Sequence, residues 1–428
     1  MAAPRRHARA NPPPRGLRDR LHPVPRVLRE SALFENLSPP PADTLMEVGR
    51  LFRADDREGK IDLGVGTYRN GAGRIEVMAA VKNAERRLLE SQTGKGYVGP
   101  GGDPAFCDHL ARALFPELGP MADGQLALIQ TPGGTGAYRL GLELAALRSP
   151  SPRLIIGTPT WPNHIPTAER VGLRCTTYRH YDPISGAVDF DAMLASVKAA
   201  HPGDLFLIHG CCHNPTGAIL DPSQWRALAA ALLEARLVPI VDLAYAGMAA
   251  GITADVEATR QLVETLPEAI IAISCSKSFG LYSERTGMLA VRAASMAAAD
   301  ACRKTAESLA RSLWSNPPDH GAAIVRTILA DSGLTSVWSN ELRDMRLRLA
   351  SIRARLASAG FPGANRLAAQ EGLFAMLDLT PAAIAAMREH HAIYMDPSGR
   401  INIAGLNDHN IERFLSAIRV ASGATEPM

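Results

Sequence analysis

The stretch 269–280, AIIAISCSKSFG, decides the fold. Its first five residues are apolar and three of them are isoleucine, a run too short for a helix and suited to a strand buried on both faces. A hydroxyl-rich turn follows, with Lys277 between Ser276 and Ser278. Working outward, apolar runs of the same kind recur at 126–130, 153–157, 204–209, 238–242 and 287–291. Helical stretches lie between them, among them 137–147, 224–235 and 256–264. Strand and helix in alternation predict an α/β fold whose central sheet is mostly parallel and covered by helices.

The pattern changes towards the C-terminus. A charged helix is expected at 340–359, with strand-like pieces at 373–377 and 400–404, which together predict a smaller α+β domain. A further short strand at 61–68 is expected to join it. The expected organisation is therefore an extension at 1–30, an arm with part of the small domain at 31–74, a large domain at 75–338, and the small C-terminal domain at 339–428. Residues 1–30 hold eight Arg and six Pro against two acids, Asp19 and Glu30. Such a segment cannot bury enough surface to offset its ordering entropy. It reads as a disordered basic arm, a stretch translated from upstream of the true start, or a transit peptide, although it contains no Ser before Ser31.

In an open α/β sheet, ligands bind at the carboxyl ends of the strands. After 126–130 comes Thr131-Pro132-Gly133-Gly134-Thr135-Gly136, a glycine-rich turn opening a helix, suited to an anion. The run 269–274 leads to Lys277, which burial would turn into a usable amine nucleophile. Ser274, Ser276 and the forked donor Arg285 suit a phosphate. Asp242 ends the run 238–242, three residues before Tyr245, where it caps a loop or faces a protonated ring nitrogen. Trp161, in the loop after 153–157, either packs or offers a flat face to an aromatic cofactor. The run 204–209 ends in His213-Asn214-Pro215-Thr216-Gly217, a turn by composition.

Composition narrows the function classes. The 428 residues are 46% hydrophobic and 21% charged, which fits an ordinary globular protein of about two domains. A net charge of +3 gives no argument for nucleic-acid or membrane binding, and no apolar run is long enough for a transmembrane helix. Of the 46 basic residues only six are Lys, so lysine chemistry has few possible sites. The six cysteines have neither zinc nor redox spacing and read as reduced thiols in the cytoplasm, with no metal site.

Seven stretches carry a resemblance: TPGGTGA (131–137), TWPNH (160–164), CCHNPTG (211–217), DLAYAG (242–247), SCSKSFGLYSERTG (274–287), RSLWSNPPDHG (311–321) and SGRINIAGL (398–406). Over residues 33–420 the chain resembles the aspartate and aromatic amino-acid aminotransferases, which have the pyridoxal-phosphate-dependent transferase fold type I. Within them it is most similar to the bacterial, rhizobial-type tyrosine branch. The resemblance implies pyridoxal 5'-phosphate as cofactor and amino acids and 2-oxo acids as substrates. It implies Lys277 as the Schiff-base lysine and proton carrier, and Asp242 at the pyridinium nitrogen with His164 behind it. It places Asn214 and Tyr245 on the phenolic oxygen and Trp161 on the ring. Gly134, Thr135, Ser274, Ser276 and Arg285 would hold the phosphate. Tyr97 would reach the phosphate of a neighbouring subunit, which implies a homodimer. Arg400 resembles the clamp for the substrate α-carboxylate, Arg311 the residue donated across the dimer to a distal carboxylate, and Gly66 part of a segment that closes over substrate.

One departure bears on specificity. The family reads Arg-x-polar-Tyr where this chain has Arg311-Ser312-Leu313-Trp314, and the apolar Leu313, with Ile75, leans towards an aromatic donor. The expected reaction is transfer of the amino group of tyrosine or phenylalanine to 2-oxoglutarate, with aspartate as the alternative donor. A lyase on the same scaffold would not need two substrate arginines. A non-enzymatic, nucleic-acid-binding role would rest on the 1–30 arm alone.

Overall fold

The computed structural model describes residues 34, 37–38, 44–116, 123–148 and 150–423; the expected extension at 1–30 and most of 31–43 lie outside the described residues. Strands of three or more residues are numbered in chain order. Seven of them, β1 (Leu126–Pro132), β2 (Arg153–Thr158), β3 (Arg174–Arg179), β4 (Leu205–His209), β5 (Val238–Leu243), β6 (Ala269–Ser274) and β7 (Thr286–Arg292), form one sheet in the order β1-β7-β6-β5-β4-β2-β3. Each of the six apolar runs of the sequence is one of these strands. β4 and β6 are buried along their whole length, as their unbroken apolar sequence requires.

The sheet is mostly parallel, as expected: β7 alone runs antiparallel, to both β1 and β6, and all other neighbours in the sheet are parallel. The connection 275–285 carries no crossover helix, and a chain that turns back without one can only pair antiparallel. The strand expected at 61–68 is confined to Ile61–Asp62, which pairs with Ile393–Tyr394. Beyond it, the backbone of 64–67 is held by side chains: Arg400 Nη2 donates to the Gly64 carbonyl at 2.8 Å, and Asn402 Nδ2 donates to the Val65 and Thr67 carbonyls at 2.6 and 2.7 Å.

Helix Gly133–Ala146 starts four residues before the expected 137, so the glycine-rich turn is itself its first turn. Helix Pro222–Ala235 opens with a capping box: the Asp221 side chain accepts from Ser223 and Gln224, and the Gln224 side chain accepts from Asp221 N. The helix expected at 340–359 is Ser332–Ala357, capped by Asp331, whose side chain accepts from Leu334 N. It runs through the expected boundary between 338 and 339. Its Trp338 Nε1 donates to the Ser278 carbonyl at 2.8 Å, beside Lys277, while Arg353 lies near its far end. There β8 (Phe374–Met376) and β9 (Arg400–Asn402) make a two-stranded antiparallel ribbon. From Thr44 onward the described residues pack as one compact unit. No helix among them is long and apolar enough to cross a membrane.

Candidate active site

The carboxyl ends of β1, β5 and β6 bring most of the expected residues together. Asp242 is the fifth residue of β5 and sits in register with His209, the last residue of β4. Asp242 Oδ2 lies 3.2 Å from His164 Nε2 and 4.0 Å from His209 Nε2. The other His164 nitrogen, Nδ1, is 2.7 Å from Thr160 Oγ1, which fixes the ring. Burial raises the affinity of the Asp242 carboxyl for a proton. The His164 hydrogen bond, His209 and Lys277 outweigh it and hold the pKa below the ordinary value. Asp242 therefore stays an anion.

Lys277 lies in the 275–285 return, half-buried, with Nζ 5.3 Å from the centre of the Tyr245 ring. Burial pulls its pKa below that of free lysine; Asp242 pulls it up and Arg285 adds to the lowering. Tyr245 is buried and its phenol pKa is pushed up, chiefly by burial, so the hydroxyl keeps its proton. Asn214 Nδ2 donates to Tyr245 Oη at 3.4 Å, and Asn214 Oδ1 accepts from Arg400 Nη1, also at 3.4 Å. Arg400 is buried, its guanidinium 4.9 Å over the Phe374 ring. Gly66 lies against the same ring: a Cβ there would be 3.1 Å from Phe374 Cζ. Trp161 stands edge-on to His164 with ring centres 5.1 Å apart.

At the start of helix Gly133–Ala146 the glycines are required by contact. A Cβ on Gly133 would sit 2.5 Å from Arg285 Nη2, and one on Gly134 would sit 2.8 Å from Ser274 Cβ. Gly133 has φ +73°, and Arg285 itself adopts φ +52°, uncommon for a side chain of this size. That conformation turns the guanidinium towards the helix start, where Nη1 donates to Ser276 Oγ at 3.3 Å. Ser274 Oγ accepts from Ser276 N at 3.2 Å, and Thr135 follows in the first helical turn. One guanidinium, several hydroxyls and the free N–H groups of a helix start form a donor set suited to a phosphate dianion. Asp242, held ionised, suits a protonated ring nitrogen. The residues present fit pyridoxal phosphate at both ends.

Two expected residues stand apart from this cluster within the single chain. Tyr97 is 93% exposed. Arg311, exposed near the end of helix Met296–Leu313, donates from Nη1 to Ser315 Oγ at 2.7 Å. Other residues were not singled out from the sequence. His209 touches Asp242 only through the register of β4 with β5. Phe374 is the shared wall of Arg400, Gly66 and Tyr245, whose ring is 5.9 Å away. In sequence Phe374 is one apolar residue among several, and only the pairing of β8 with β9 places it.

With this geometry in view, comparison with known proteins is direct. The sequence profile of the family described as aminotransferase class I and II matches residues 58–418. A tyrosine aminotransferase of Rhizobium meliloti (strain 1021) is 45% identical over 377 residues, covering 87% of this chain and 96% of the relative. An aspartate aminotransferase of Escherichia coli (strain K12) is 39% identical over 394 residues, covering 90% and 99%. Among solved structures, an aromatic-amino-acid aminotransferase from Burkholderia pseudomallei covalently bound to pyridoxal phosphate superposes with a TM-score of 0.88 at 34% identity, covering 91% and 100%. The chain belongs to the class I and II aminotransferases and is a pyridoxal-phosphate-dependent enzyme of that family.

Proposed function

We propose that the enzyme moves the amino group of tyrosine or phenylalanine to 2-oxoglutarate in two half-reactions, giving the aryl 2-oxo acid and glutamate. Pyridoxal phosphate, when bound, supplies an electron sink for the charge that develops at the substrate Cα. The chain's own groups do the rest. Gly134, Thr135, Ser274, Ser276 and Arg285 hold the phosphate, and Asp242 keeps the ring nitrogen protonated. Asn214 and Tyr245 donate to the phenolic oxygen, and Trp161 covers the ring. Lys277 Nζ, its pKa lowered by burial, serves as the amine nucleophile and takes the proton from the substrate Cα. Arg400 pairs with the α-carboxylate through a two-pronged guanidinium, with Asn214 beside it.

The observation that carries the aromatic preference is the surroundings of Arg311. Its guanidinium has a resting place on Ser315 Oγ, and Leu313 beside it is 39% exposed. Ile75, in the segment after Gly66, is 51% exposed. Leu313 offers Arg311 no polar partner, which favours an aromatic side chain when Arg311 swings to Ser315 and a dicarboxylate when it swings back. The named relatives include both tyrosine and aspartate aminotransferases, so aspartate as donor is the second reading.

A homodimer completes this account, with Tyr97 and Arg311 each contributing to the partner's site. The six unpaired cysteines favour a reducing, cytoplasmic location. The test is kcat/KM for tyrosine, phenylalanine and aspartate, each with 2-oxoglutarate. Higher values for the aromatic donors are expected. A clear win for aspartate would hand the site to the second reading, and turnover of none would sink both.

A further inference from the structure

Arg353 is charged and only 5% exposed. Burying a guanidinium is costly unless its donors find acceptors. Its Nη2 finds two, the carbonyls of Gly372 at 2.8 Å and of Phe374 at 2.9 Å. These oxygens belong to the edge of the β8–β9 ribbon. On the inner side β8 pairs with β9, and the Leu373 carbonyl accepts from Ile403 N at 2.9 Å. The carbonyls at 372 and 374 face the other way, where a further strand would otherwise be needed to satisfy them. Arg353 takes the place of that strand.

What this edge holds in place is Phe374, whose ring lies under the Arg400 guanidinium, edge-on to Tyr245 and against Gly66. The ribbon also sets Arg400 directly, through the pairing of Met376 with Arg400 and of Phe374 with Asn402. Just before it, Glu371 N donates to the Gly217 carbonyl at 2.8 Å, and a Cβ at Gly372 would sit 2.5 Å from Cys212 Cβ. The ribbon is thus wedged between the 212–217 loop, which carries Asn214, and Arg353 on helix Ser332–Ala357.

We propose that Arg353 is a positioning residue for substrate recognition: it fixes the edge of β8 and, through the Phe374 ring, orients Arg400 for the α-carboxylate of the amino acid. This rests on the assignment of Arg400 as the carboxylate clamp.

The test uses the full-length holoenzyme with Arg353→Met and Arg353→Lys, and compares two amino donors, tyrosine and tyramine, the same molecule without the carboxylate. Single-turnover rates give the preference for the acid over the amine. A small misplacement of Arg400 should raise KM for tyrosine in Arg353→Met by at least about tenfold, with a much smaller change in kcat. The acid-over-amine preference should fall by a similar factor, and Arg353→Lys should recover part of it. A loss of rate shared equally by tyrosine and tyramine would show a merely structural residue and overturn the proposal, as would an unchanged preference. Phe374→Leu removes the ring without stranding a buried charge, so it serves if Arg353→Met does not fold; it should lose the same preference, and retention would overturn the proposal. Arg400→Ala, run in parallel, separates the two levels. If it keeps the preference, the carboxylate assignment itself fails; if only Arg353→Met and Phe374→Leu keep it, the assignment stands and the proposal fails.

Discussion

At the scale of single residues, the site works by setting two charges against their natural tendencies. Asp242, half-buried, is kept ionised by His164 and His209, and burial lowers the pKa of Lys277 below that of free lysine. Replacing Asp242 by Asn removes the anion while keeping the shape. A loss of about 10²–10³ in kcat/KM is expected for deleting one preorganised electrostatic group, and steady-state rates with tyrosine check it. A loss below tenfold would mean that Asp242 merely caps its loop. Lys277 and Asp242 were legible in the sequence because one follows an apolar run closely and the other closes one, and strand ends are where an open sheet binds ligands. His209 was not, because its contact depends on the register between two strands far apart in sequence.

At the scale of elements, the decisive unit is the glycine-rich first turn of helix Gly133–Ala146 against the 275–285 return. Gly133→Ala forces a side chain into positive φ and against Arg285 Nη2. The dissociation constant for pyridoxal phosphate should rise by about tenfold or more, each tenfold being ~1.4 kcal/mol. Gly71→Ala, where a Cβ meets nothing within 4 Å, should leave it unchanged. Titration of the apoenzyme with cofactor measures both. Strands were legible where they are buried on both faces, since an apolar run of five or six residues has few other uses. β3 was not: its sequence RCTTYR is mostly exposed, as suits the edge of the sheet. The direction of β7 was also hidden, because an apolar run carries no mark of which way it runs.

At the scale of the whole molecule, a column of buried imidazoles runs from the site into the body of the protein. His164, His209, His213 and His180 are in successive ring contact, with centres 5.3, 4.2 and 4.0 Å apart. Burial lowers the pKa of His180 to about 4 and of His209 to about 3, and holds His213 well below the ordinary value. Below pH 6.5 the unfolded chain takes up protons on His180, His209 and His213 that the folded protein refuses, so stability falls as pH falls through this window. His180 alone accounts for up to roughly 1.4 kcal/mol per pH unit between its unfolded and folded pKa values. His180→Phe keeps a flat ring against His213 and should flatten the stability profile between pH 6.5 and 4 by about one proton. Urea unfolding at a series of pH values checks this, and an unchanged slope would mean that His180 is protonated in the folded state.

In the proposed function one lysine, Lys277 in the return just after β6, carries the amino transfer. The most direct measurement is glutamate formed from tyrosine and 2-oxoglutarate by the wild-type enzyme and by Lys277→Ala, both loaded with pyridoxal phosphate. Steady turnover is expected in the first and a loss of at least about 10³-fold in the second, within the range for removing a general base and larger if the covalent role adds to it. Turnover retained in Lys277→Ala would rule out this role for the lysine.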